Sequence, residues 1–229
     1  MRIRPAPSPN HDARPPGTPI DMLVLHYTGM PDEASALARL RDPAAEVSAH
    51  YLVAEDGTVF ALVPEERRAW HAGVSHWRGM TGLNARSIGI EVVNPGHEWG
   101  YRPFPALQMG AVVALCRDIL ARHPIPPRHV LAHSDIAPDR KRDPGELFDW
   151  EGLAREGVGL WPPPWAGAVP TAAEAPALLA RIGYRTDLPL PVLLAAFQRH
   201  WRPARVDGAA DAETLARLAA VAAACEAAG

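Results

Sequence analysis

Two cysteines, Cys116 and Cys225, are all that the 229 residues contain. Cys116 sits in an apolar helical pattern and Cys225 lies near the terminus, so neither calls for a disulfide; the usage suits a reducing compartment without demanding one. A thiol in apolar surroundings is inert, which removes Cys116 as a nucleophile. No apolar run approaches the ~20 residues needed to span a bilayer. Positive charge is not in excess: Lys and Arg number 23 against 26 acids, a net charge of −3, which argues against nucleic acid as the main partner. The opening MRIRPAPSPNHDARPPG has basic residues but no apolar stretch behind them, so it does not read as a secretory signal. A cytoplasmic setting is the expectation for the sequence as it stands, with the periplasm or cell envelope as the alternative if a leader precedes it. G-x-S-x-G, Walker A and H-E-x-x-H are also missing.

Apolar residues make up 48% and charged residues 21%, enough to fill the core of one full domain with a small second one, at roughly 150 residues per domain. DMLVLHY (21–27) is a short apolar run before Gly29 and reads as a buried strand ending on His26. Ser35–Arg41 reads as a short helix that stops at Pro43. In SAHYLVAEDGTVFALV (48–63) two β-rich runs flank Asp56-Gly57, a strong hairpin signal. AWHAGVSHWRGMTGLNARS (69–87) has no period and reads as a functional loop. SIGIEVV (87–93) is a central strand bearing Glu91, and a buried-looking strand seldom carries a carboxylate without a reason. Leu107–His123 has apolar residues at helical spacing. Strand Val130–His133 follows, and then the loop SDIAPDRKRDPG.

Three strands therefore end in LVLH, IGIE and VLAH. Alternation of strands and helices predicts an α/β domain with a mixed central sheet flanked by helices, with active groups gathered at strand ends. Pro162-Pro163-Pro164 reads as a stiff connector. Beyond it the pattern is helical over Ala173–Ile182, Leu190–His200 and Asp211–Ala224, a small all-α three-helix domain of marginal stability whose job is expected to be binding. The expected organisation is an irregular N-terminal arm at 1–19, a catalytic domain at 20–160, a Pro-rich linker at 161–170 and the helical domain at 171–229.

Two imidazoles and one carboxylate with an open fourth position are the ligand set of a hydrolytic zinc site. His26, His133 and Asp143 fit it, for one Zn²⁺ per chain. Glu91 is the candidate general base, an effect typically worth about 10²–10⁴ in rate; its alternative is a structural pair with Arg86. Lys141 is the candidate donor to the developing oxyanion, worth on the order of 10²–10³, or else an ordinary exposed lysine. His50 either orients a ligand or the water, or packs in the core. Trp70, His71, His76, Trp77 and Asn84 are candidates for lining a substrate groove, or loop-packing residues.

LVLHYTG, SAHYLVAEDGTVFALV, WHAGVSHWRG, NARSIGIEVVN, HVLAHSDIAPDRKRDPG and LFDW, in that order, resemble the zinc-dependent N-acetylmuramoyl-L-alanine amidases over about residues 20–160. The resemblance implies His26, His133 and Asp143 as zinc ligands, Glu91 as catalytic glutamate and Lys141 as transition-state lysine. It also implies the reaction: hydrolysis of the amide between the lactyl group of N-acetylmuramic acid and L-alanine, on peptidoglycan or muropeptides, in wall turnover and recycling. LLAAFQRHWRPARVDGAADAETLARL is similar to a peptidoglycan-binding module. The alternative in another class is a non-catalytic peptidoglycan-binding protein on the same fold. A two-histidine, one-carboxylate iron oxygenase fits less well, since such sites usually pair a histidine and a carboxylate one residue apart.

Overall fold

The computed structural model describes residues 3–228. In chain order its strands are β1 (Ile3–Pro5), β2 (His11–Ala13), β3 (Met22–Tyr27), β4 (Tyr51–Val53), β5 (Val59–Ala61), β6 (Arg67–Ala69), β7 (His76–Trp77), β8 (Met80–Thr81), β9 (Ser87–Val92) and β10 (Val130–Ala132). The helices are α1 (Glu33–Arg41), α2 (Gly96–Trp99), α3 (Ala106–Arg122), α4 (His133–Ile136), α5 (Trp150–Arg155), α6 (Ala175–Ile182), α7 (Leu190–Trp201) and α8 (Ala212–Ala227). Six strands form one sheet in the order β1-β5-β4-β9-β3-β10. Only the β4–β5 hairpin is antiparallel; β1–β5, β4–β9, β9–β3 and β3–β10 run parallel. This is the mixed α/β sheet expected from the sequence.

Strand side chains alternate between faces, and here the alternation sorts core from chemistry. Leu23, Leu25, Ile88, Ile90 and Val92 pack on one face against Val112, Leu115, Cys116 and Ile119 of α3, whose i, i+3, i+4, i+7 spacing makes one apolar stripe. Each such fully buried aliphatic contributes about 1.5–3 kcal/mol. The other face takes Met22, Val24 and Leu131, and by the same alternation His26, Ser87, Gly89 and Glu91.

That second face is covered by the C-terminal helices. Met22, Val24, Trp77, Leu83, Leu131 and Ile136 share a single apolar cluster with Leu179, Phe197, Leu218 and their neighbours from α6, α7 and α8. Trp77 meets Tyr184 edge to face with ring centroids 5.1 Å apart. Gly183, at φ 142°, lets the chain pass there: a Cβ would lie 2.7 Å from the Trp77 ring and from Arg78 Cγ. The helices predicted at 171–229 are present, with Gly229 outside the described residues, but they are welded to the sheet domain through a common core. No sequence period announces this, because part of the partner surface, Ala72, Trp77 and Leu83, belongs to the aperiodic 69–87 loop.

The expected irregular arm at 1–19 needs correcting, its first two residues lying outside the described ones. β1 extends the main sheet beside β5, and β2 pairs antiparallel with β6. Arg14 follows, donating to the carbonyls of Glu65 (2.9 Å), Ala85 (2.7 Å) and Ser87 (2.8 Å). Edge strands tolerate proline, and three-residue strands in a Pro-rich stretch are too short to show a period.

Candidate active site

Parallel pairing of β3 with β9 places His26 directly beside Glu91. Parallel pairing of β3 with β10 puts Ala132 beside Leu25, so His133 emerges at the same sheet edge, as the first residue of α4 rather than the last of a strand. The following loop returns because Ser134 N–H donates to the Asp143 carbonyl (3.0 Å). It is clamped from outside by Tyr101, whose hydroxyl donates to the Pro144 carbonyl (2.7 Å) and accepts from Leu147 N–H (2.9 Å). His26, His133 and Asp143 are all buried and form a cluster suited to a metal ion. His26 Nδ1, His133 Nδ1 and Asp143 Oδ2 lie 2.9 Å from one another.

Bonding partners assign the tautomers. Ser87 Oγ–H donates to the Leu83 carbonyl (2.7 Å), so the hydroxyl oxygen accepts from His71 Nε2–H (3.1 Å). His71 Nδ1 then accepts from His26 Nε2–H (3.0 Å), which leaves the His26 Nδ1 lone pair facing inward. His133 Nε2–H donates to the Ala72 carbonyl (3.2 Å), with the same result at its Nδ1. Two imidazole lone pairs and a carboxylate oxygen at this separation repel unless a cation lies among them. The donor set therefore fits a divalent metal of the zinc type. Burial, followed by neighbouring His133, pushes the His26 pKa down to about 4, keeping the ring neutral as a ligand must be.

Glu91 Oε2 is buried and has no hydrogen-bond partner. Burial first, then the Asp143 carboxylate, raises its pKa well above the ordinary carboxylate range, with Lys141 opposing. Arg86, the alternative partner, is bound instead to Asp21. Lys141 and Glu91 line one cavity of about 1060 Å³ together with His26, His133 and Asp143.

The five groove candidates are distributed differently from the expectation. Trp77 is buried in the shared core, and His76 and Trp70 lie off the cavity. Asn84 is structural: its Oδ1 accepts from His71 N–H (3.0 Å) and Ala72 N–H (2.7 Å), pinning the loop. His71 reaches the cavity floor, but both its ring nitrogens are engaged behind His26. Its ring lies on Gly89, where a Cβ would come within 2.5 Å of it. His50 is buried one layer further back, accepting from Gly89 N–H through Nδ1 (2.9 Å), its ring 5.8 Å from that of His71. For His71 the small residues Gly89 and Ser87, which its ring meets, were the signal for the loop-packing alternative. The sequence reading missed Tyr27 and His97, which line the cavity and are bonded at 3.0 Å. It also missed Arg199 of α7.

An α/β sheet with two histidines and a carboxylate converging in a cavity that also holds a lysine and a glutamate with one buried carboxylate oxygen has the layout of a metal-dependent hydrolase. The model of the Amidase_2 family, N-acetylmuramoyl-L-alanine amidase, matches residues 16–146. N-acetylmuramoyl-L-alanine amidase AmiD of Escherichia coli is 43% identical, over 86% of this chain and 80% of its own length. 1,6-anhydro-N-acetylmuramyl-L-alanine amidase AmpD of Enterobacter cloacae is 35% identical over 64% of this chain and 86% of its own. The solved structure of E. coli AmiD with the substrate anhydro-N-acetylmuramic acid-L-Ala-D-gamma-Glu-L-Lys superposes with a TM-score of 0.79, at 41% identity, over 90% of both chains. The chain belongs to the N-acetylmuramoyl-L-alanine amidase family. Among the described residues no helix is long and apolar enough to cross a membrane.

Proposed function

We propose that this amidase hydrolyses the amide between the lactyl group of N-acetylmuramic acid and L-alanine in muropeptides or peptidoglycan, in wall turnover and recycling, and that it does so with one zinc ion held by His26, His133 and Asp143. The observation that carries the reading is the inward convergence of His26 Nδ1, His133 Nδ1 and Asp143 Oδ2 in the cavity that holds Glu91. When bound, zinc supplies a Lewis acid that polarises the carbonyl and acidifies water to a pKa of about 7.

The side chains divide the remaining work. Glu91, raised in basicity and unpartnered, takes the proton of the attacking water and passes it to the leaving alanine nitrogen. Lys141, on the loop beside Asp143, donates from its ammonium to the oxygen on which negative charge develops. The Glu91 carboxylate, with Oε2 buried, acts in a setting of lower dielectric than water. α7 closes one wall, and the C-terminal helices add binding surface for the peptidoglycan fragment.

Mass spectrometry of products from muropeptides, with and without a chelator, tests bond and metal together: free stem peptide is expected only with metal present. Glu91→Gln is expected to bind zinc stoichiometrically and fold normally, while losing about 10²–10⁴ in turnover. Near-normal turnover by that variant would remove Glu91 as the base.

A further inference from the structure

Seven of the twelve residues of α7 are buried among the C-terminal helices and the sheet face. Pro191, Val192, Ala195 and Arg199 are not, and their i, i+1, i+4, i+8 spacing forms one helix face. All four line the cavity that holds His26, Glu91 and Lys141. One wall of the amidase site is thus built from the C-terminal helical unit, and its last side chain toward the cavity is a guanidinium.

Arg199 is half-buried and, among the described residues, makes no hydrogen bond or ion pair. The carboxylate whose field reaches it is Glu146, but both Glu146 oxygens already accept from His97 Nε2 at 3.2 Å. The neighbouring charge of the same sign is Arg142, which lines the same cavity from the loop next to Asp143 and is likewise without a hydrogen bond or ion pair. Arg142 is exposed and hydrated, so the guanidinium that lacks compensation is the partly desolvated Arg199, which an anion in the cavity would stabilise. A planar fork without a partner is suited to bidentate capture of a carboxylate.

We propose that Arg199, with Arg142, binds a free carboxylate of the stem peptide, so that the C-terminal unit supplies a specificity-determining side chain to the amidase site. This rests on the reading of the site as a muropeptide amidase. A stem of the type L-Ala-γ-D-Glu-L-Lys offers two such carboxylates, the α-carboxylate that a γ-linkage leaves free and the one at the C-terminus.

The test is steady-state kinetics of the full zinc-loaded chain on three muramyl-L-Ala-γ-D-Glu-L-Lys substrates: unmodified, amidated at the glutamate α-carboxylate, and amidated at the C-terminus. Wild type is expected to show a KM about 10–100-fold higher on one amidated substrate, consistent with one charge-assisted contact. Arg199→Ala should raise KM on the unmodified substrate by a similar factor, with the loss falling on KM and not kcat, and should add nothing on the substrate already lacking its carboxylate. Arg199→Lys should recover part of the loss, and Arg142→Ala should repeat the pattern more weakly. Which amidation is silent in Arg199→Ala identifies the carboxylate. An equal KM for wild type on all three substrates would sink the carboxylate inference and leave the amidase reading standing. A uniform loss in Arg199→Ala on all three would likewise sink it, showing that the side chain only packs. Failure of wild type to cleave any of them would overturn both readings.

Discussion

A histidine proposed to hold a metal is as well placed as the group behind it, and behind His26 stands His71. The relay from His26 Nε2–H through His71 and Ser87 to the Leu83 carbonyl fixes which nitrogen faces the cluster. Ser87→Ala removes the acceptor for His71 Nε2–H, so His71 can take the Nδ1–H tautomer, donate to His26 Nε2 and move the His26 proton onto the inward-facing Nδ1. His71→Ala removes the acceptor for His26 outright. Both variants are expected to weaken zinc binding by about 10–100-fold in chelator competition, with the far-ultraviolet circular dichroism of the fold retained; unchanged affinity would show that the relay is incidental. His26, His133 and Glu91 were legible in the sequence because each terminates or punctuates an apolar run where a polar group has no packing reason to be, whereas Asp143 could be read only from its place in the charged loop that follows His133. His71 was misread as a groove residue because its loop has no period, and only the fold reveals that Gly89 makes room for its ring.

At the scale of elements, the sheet was legible for a related reason. S-G-E and I-I-V interleave along β9, so chemistry and core separate by parity. The ties between elements were less visible. Glu65, in the turn between β5 and β6, accepts from Tyr51 of β4 (2.7 Å), from Arg122 at the end of α3 (2.8 Å) and from His123 just beyond it (2.6 Å). Burial alone would raise its pKa, but Arg122, His123 and Tyr51 together lower it from 4.5 to about 2. The sign follows from linkage: a depressed carboxylate pKa stabilises the fold above the unfolded value near 4.5 and loses that contribution as pH falls through about 2. After allowance for solvent screening, the contribution is on the order of 1–2 kcal/mol. Glu65→Gln should therefore lower stability to urea at pH 7 by that amount and flatten the acid limb between about pH 4.5 and 2. A parallel downward shift of the whole pH profile, with its acid limb unchanged, would place the effect in packing and not in charge.

The whole molecule departs most from its sequence pattern at the C-terminus. Three helical periods after a proline-rich stretch read as a separate module, because an amphipathic helix does not say whether its apolar face meets a sibling helix or a neighbouring sheet. Here it meets both. Asp135, two residues after His133, is fully buried and accepts from Ala132 N–H (2.8 Å), from Tyr184 and from His200 Nδ1–H (2.7 Å). Two of these three partners belong to the C-terminal helical unit. His200 is itself sandwiched between Trp150 of the sheet domain and Trp201, with ring centroids 3.8 and 4.0 Å away. Removing residues 171–229 would expose Trp77, Leu83 and Ile136, each worth about 1.5–3 kcal/mol of burial. The sum rivals the ~5–15 kcal/mol that holds an ordinary domain together. The truncated chain is therefore expected to be unfolded or insoluble. In the intact chain, thermal unfolding followed by tryptophan fluorescence and by far-ultraviolet circular dichroism should give one coincident transition. Two resolved transitions, or a soluble truncated chain with native zinc affinity, would show that the shared core contributes little and that the helices are a detachable module after all.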